Sequence, residues 1–138
     1  MIDILNFKIC SKQEANQFNP ISLAFIGDAV YELYVRSYIL NKKGKLSAHK
    51  LHIKAINFVK AKAQSDIMLT LEELLNEEEV AVYKRGRNAK CHSVPKNADV
   101  RDYRVATGFE CLMGYLYITN QRERLVELLE KSISIREE

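Results

Sequence analysis

The chain has 138 residues, 47% of them hydrophobic, and a net charge of +3, enough for one well-packed core over 1–138 and too short for a comfortable second domain. Cys10, Cys91 and Cys111 form no short-spaced pair, which argues against a disulfide framework or a thiolate zinc site and for a reducing, cytoplasmic setting. The N-terminal stretch lacks the apolar core of a signal peptide, and no uncharged run is long enough to span a membrane, so no membrane partner is expected.

Punctuation is sparse, with the clearest breaks at Pro20, Gly44, Gly86 and Pro95 and no hairpin dipeptide, so the chain reads as all-α. Asn19-Pro20 opens a helix over 21–40, apolar at helical spacing. Ser47 caps a second helix that runs to about residue 69, with Leu51, Ala55, Phe58 and Val59 as its apolar stripe. A short helix is expected at "LTLEELL". Asn76 and Glu79 then form a capping box, and the helix they open has Glu77 and Glu78 in its first turn and Lys84, Arg85 and Arg87 in its last, the charge order that suits the helix dipole. Residues 88–98 are polar, contain Pro95 and read as a loop. Asp99 or Asp102 starts the next helix, which continues to about Thr119, and a final amphipathic helix over roughly 121–134 turns Leu125, Leu128 and Leu129 inward.

Charge is unevenly spread. Residues 1–41 carry −1, 42–62 carry +7, 63–80 carry −6, 81–104 carry +5 and 105–138 carry −2. Two basic segments around an acidic one predict a polyanion-binding face assembled from two places in the chain, as for nucleic acid. Solvated helix faces are the alternative.

Two apolar helices each carry an isolated acid. Asp28 sits at the centre of "ISLAFIGDAVYELYV", with Glu32 one turn later, and Glu110 is the lone charge of 105–120. Helix geometry places Tyr103, Thr107, Gly114 and Tyr117 around Glu110, and the small residues among them leave room beside the carboxylate. A buried carboxylate costs several kcal/mol, on the order of a lost ion pair, unless it is paired or coordinates a cation. Segment 21–35 holds no Lys or Arg, and neither does 105–121, so Arg36 or Arg104 would have to fold back. If Asp28, Glu32 and Glu110 converge, their repulsion calls for a cation, and a hard divalent ion such as magnesium suits a site with few carboxylates and several waters. Beside a basic face, such an ion reads as phosphodiester hydrolysis. The alternative is that these acids lie at the surface or pair with distant arginines.

These residues also resemble a known family. "LAFIGDAVYE" resembles the signature helix of ribonuclease III catalytic domains, and "FECLMGYLYI" resembles the later helix that supplies their glutamate ligand. "RGRNAK", "VPKNADVRDYRVATGFE" and "LHIKAINFVKAKAQ" are similar to the Mini-ribonuclease III branch, which lacks a double-stranded RNA-binding domain. The resemblance spans about residues 19–130. It implies a homodimeric, all-helical endoribonuclease that cuts double-stranded RNA with magnesium, for which manganese can stand in. In bacteria the branch trims the ends of the large-subunit (23S) ribosomal RNA precursor, and a ribosomal protein is a candidate helper. Asp28 and Glu110 match the family's metal-binding acids and are the candidate catalytic pair, with Glu32 a candidate third member. Ala24 and Thr107 stand where longer members carry two further carboxylates, which puts a full second metal site in doubt.

Without an appended RNA-binding domain, the catalytic domain must grip the duplex itself, through shape, phosphates and 2′-hydroxyls. The candidate contacts are Arg85, Arg87, Asn88, Lys90, Lys96 and Asn97, with Lys60 and Lys62 extending the track. Phe25 and its apolar neighbours are the dimer-interface candidates. Two other functions stay open: a non-catalytic double-stranded RNA-binding protein of the same fold, tied to ribosome assembly, and a purely structural helical dimer.

Overall fold

The structure, a computed structural model, describes residues 5, 7–90, 94, 96 and 99–137. Among these the regular structure is wholly helical: α1 (Lys12–Ala15), α2 (Pro20–Lys43), α3 (Ala48–Val59), α4 (Ala61–Leu71), a 3₁₀ turn (Glu72–Leu74), α5 (Glu77–Arg87), α6 (Val100–Ile118) and α7 (Arg122–Glu137). Polar caps mark most of the starts. Asn19 Oδ1 accepts the Ile21 N–H just ahead of Pro20, Ser47 Oγ accepts from Lys50, and Asn76 and Glu79 exchange the two bonds of a capping box. Asp99 rather than Asp102 opens α6, because the Asp99 carboxylate accepts the Asp102 N–H at 3.0 Å.

Three expectations change. The helix expected from Ser47 to about residue 69 is two helices, bent at Lys60, whose ψ of 153° is extended. No glycine or proline stands there; the freed Val59 carbonyl is instead taken by the Gln64 side chain, five residues on, at 2.8 Å. The short helix expected at "LTLEELL" does not form separately: α4 continues to Leu71, and the chain then tightens into the 3₁₀ turn. The N-terminal segment adds α1, opened by a capping box between Ser11 and Glu14.

Helix α6 is the axis of the molecule. From Val105 to Leu116 every residue except Glu110 is buried, and α2, α4, α5 and α7 pack around it. Tyr31 of α2 meets Phe109 edge-on at 4.9 Å, and its hydroxyl donates to the Phe58 carbonyl at 2.9 Å, which ties α2 to both α6 and α3. Helices α2 and α6 cross with their backbones in contact. A Cβ on Gly27 would lie 1.7 Å from the Glu110 carbonyl oxygen, and one on Gly114 would lie 2.0 Å from that of Leu23. The space that Gly114 leaves beside Glu110 is therefore filled by the α2 backbone and is no room for a ligand. At the other end, the buried Glu79 carboxylate receives two bonds of 2.8 Å from Arg124, which also donates to the Leu74 carbonyl and so locks α7 onto α5 and the 3₁₀ turn.

Candidate active site

The α2–α6 crossing sets the spacing of the two lone acids. Gly27 touches the Glu110 backbone, so Asp28, the next residue, projects beside the Glu110 side chain, and the two carboxyl groups come within hydrogen-bonding reach. Asp28 is exposed and Glu110 lies half-buried beneath it. Burial first, then the charge and hydrogen bond of Asp28, push the Glu110 carboxyl from its ordinary 4.5 up to about 8. Among the described residues, the groups acting on it are Asp28, Gln64 and Glu32, none of them a lysine or arginine. Two facing carboxyls with no cationic side chain need a shared proton or a bound cation.

Beneath the pair lies Gln64 of α4, only 2% exposed. Its Nε2 donates to the Glu110 carboxylate at 3.3 Å and to the Val59 carbonyl at 2.8 Å, while its buried Oε1 has no hydrogen-bond partner among the described residues. Glu32, half-buried, accepts from Arg36 at 3.1 Å, an i,i+4 pair within α2, and still lends its negative charge to the field at Glu110. Among the described residues, no three histidine, cysteine or carboxylate side chains gather into a ready metal cluster. The donor set is thus the Asp28–Glu110 pair, which fits a hard ion that keeps most of its waters.

The candidate RNA contacts separate on inspection. Lys60 is exposed at the α3–α4 bend, Lys62 is paired with Asp66 at 3.0 Å, and Asn88, Lys90 and Lys96 are exposed. Asn97 lies outside the described residues. Arg85, half-buried, donates to Asn16 Oδ1 at 3.2 Å and to the Phe18 carbonyl at 3.1 Å, fastening the segment after α1 to α5. Arg87 lies over the Tyr83 ring at 5.6 Å and donates to Asn88. With Asn88, Arg101 and Arg104 it lines an open cavity of about 640 Å³ that also touches Glu72.

Comparison with known proteins decides the family. The Ribonuclease III domain profile matches residues 21–121. Mini-ribonuclease 3 of Clostridium tetani is 51% identical over 128 residues, 93% of this chain and 85% of that protein, and Mini-ribonuclease 3 of Enterococcus faecalis is 51% identical over 85% of this chain and 89% of its own length. This chain belongs to the Mini-ribonuclease 3 branch of the ribonuclease III family. A crystal structure of a Fusobacterium nucleatum protein superposes with a TM-score of 0.76 at 30% identity, covering 86% of this chain and 93% of that one.

As a ribonuclease III family member the chain is an endoribonuclease, a hydrolase of phosphodiester bonds. Its two departures from longer ribonuclease III enzymes have a local account. Ala24 is buried, and Thr107 is buried with its hydroxyl spent on the Tyr103 carbonyl at 2.9 Å. Sequence reasoning did not single out Gln64, which lies against Glu110, or Arg101, and it named Arg104 only as a possible ion-pair partner. Only a lone amide on the inward side of "AKAQSDIML" pointed to the first, and the two arginines were hidden among the alternating charges of "DVRDYR".

Proposed function

We propose that this endoribonuclease cuts double-stranded RNA with magnesium, manganese being able to substitute, and that its physiological task is to trim the ends of the 23S ribosomal RNA precursor in the cytoplasm. The observation that carries the reading is the facing pair Asp28–Glu110, two carboxyls from crossing helices that form no salt bridge with a lysine or arginine among the described residues. These two residues would hold the ion. When bound, it would lower the pKa of water and stabilise the charge on the scissile phosphate. Around it the chain's own side chains have separate tasks. Lys60, Lys90, Lys96 and Arg87, with Arg101 and Arg104, supply positive charge for the duplex backbone.

A homodimer belongs to the same proposal, since a two-fold substrate is cut on both strands by a two-fold enzyme. Its support is the outer face of α2, where Phe25 is 81% exposed and Leu33 and Leu40 follow it, beside an apolar groove of about 320 Å³ lined in part by Val30, Leu33, Tyr34 and Leu125. A ribosomal protein that presents the precursor is a candidate partner.

The test is cleavage of a long RNA duplex and of a 23S precursor, each strand labelled, in magnesium and in manganese. The intact protein is expected to cut both strands, while Asp28→Asn and Glu110→Gln bind the duplex and lower the rate by at least about a hundredfold. Binding without cleavage by the intact protein in every divalent ion would overturn the catalytic reading in favour of an RNA-binding role. Cutting of one strand alone would overturn the homodimer.

A further inference from the structure

We propose that Gln64 is the positioning residue for Glu110, holding that carboxylate in the orientation in which it meets a divalent ion together with Asp28. The inference rests on the metal reading above and adds to it a residue with no charge of its own.

The geometry fixes which way the amide points. Its Nε2 carries two N–H groups, and two acceptors lie against it, the Val59 carbonyl at 2.8 Å and Glu110 Oε2 at 3.3 Å. Turning the amide over would bring its oxygen against the Val59 carbonyl, which cannot donate, so the Val59 contact sets the orientation. The carbonyl in turn is available because α3 ends there: Lys60 is extended, and α4 restarts with the Gln64 N–H bonded to the Lys60 carbonyl at 3.0 Å. The order of support therefore runs from the α3–α4 bend to the amide and from the amide to the acid.

The scaffold bond to Val59 uses one N–H of this side chain and does not account for the second, which lies on Glu110. Gln64 is 2% exposed and shares α4 with the fully buried Ile67 and Met68; a methionine there would suit the packing and forgo only the bonds to Val59 and Glu110. Instead the position carries an amide whose buried Oε1 is unpaired among the described residues, an arrangement that costs stability. What the amide supplies in return is a donor on one oxygen of Glu110, which directs the remaining lone pairs of that carboxylate toward Asp28 and the ion. Carboxylates and histidines that hold metals are themselves held by such outer partners, whose loss typically weakens binding by about 10–100-fold.

The experiment measures metal binding without RNA. Manganese is titrated into the full chain while the resonance of the free ion is followed, for the wild type, Gln64→Met, Gln64→Asn and Glu110→Gln, with thermal unfolding of each as a check of the fold. Methionine removes both donors, and asparagine, a methylene shorter, reaches only one of the two acceptors. Both variants are expected to fold and to bind manganese about tenfold more weakly, with duplex cleavage returning toward the wild-type rate as manganese is raised. Wild-type affinity in either folded variant overturns the proposal. Failure of both variants to fold would assign Gln64 to the scaffold and overturn it as well. If the wild type and Glu110→Gln bind manganese equally, the metal reading beneath it is what has failed.

Discussion

Glu110 makes the stability of the metal-free protein depend on pH in a direction opposite to that of most carboxylates. Its folded value, about 8, lies above the ordinary 4.5, so the unfolded chain gives up this proton first. The stabilisation from the protonated form is complete below about pH 4.5 and is lost as pH climbs toward 8. In a chelator, Glu110→Gln is therefore expected to lose about 2 kcal/mol less than the wild type between pH 6 and 8, read by thermal unfolding at the two pH values. Equal pH dependence of the two proteins would show that Glu110 is ionised throughout. The acids themselves were legible as lone charges in apolar helices, because uncompensated charge is rare there. Gln64 was not, since a neutral amide leaves no mark in a charge pattern. Arg85 shows the reverse case: its charge was legible, but its acceptors, Asn16 and Phe18, are 69 and 67 residues away and left no local mark.

Among the elements, α7 is tied to α5 by a buried ion pair. Burial alone would raise the Glu79 carboxyl, but the bonds from Arg124 and from the Asn76 N–H outweigh it and hold the group below its usual range. Arg124→Met leaves that charge buried without its partner and is expected to cost about 3 kcal/mol in urea unfolding, much of it recovered when Glu79→Gln is added. A loss under 1 kcal/mol (about the value of an exposed pair) would mean that Glu79 reaches water when Arg124 is gone. The helix that Glu79 helps to open was readable from Asn76 and Glu79, because a capping box is written in four consecutive residues. The break at Lys60 was not, because nothing local forbids the helix from continuing. At the break the Val59 carbonyl bonds to the Gln64 side chain, a contact that local propensity does not carry.

For the whole molecule, the charge segments predicted a basic face, and the fold gathers part of it into one cavity by bringing the end of α5 beside the start of α6. Arg101 and Arg104 line that cavity from the first turns of α6, where the helix dipole already favours anions. Replacing both with alanine is expected to weaken duplex RNA binding similarly for unrelated sequences and to reduce the slope of log affinity against log salt by about 2, roughly one per phosphate contact. An unchanged salt slope, measured by duplex binding in calcium across a range of salt, would place the RNA elsewhere.

The crossing of α2 and α6 bears on how this enzyme can change over time. Since Gly27 and Gly114 let two main chains rest on each other, no side chain acts as a spacer between Asp28 and Glu110. The separation of the acids is then decoupled from the volumes of the surrounding core residues. A change of size at Leu112, Met113 or Val35 is therefore expected to shift the two carboxyls less than a side chain placed at Gly27 or Gly114, where the other helix's backbone stands in the way.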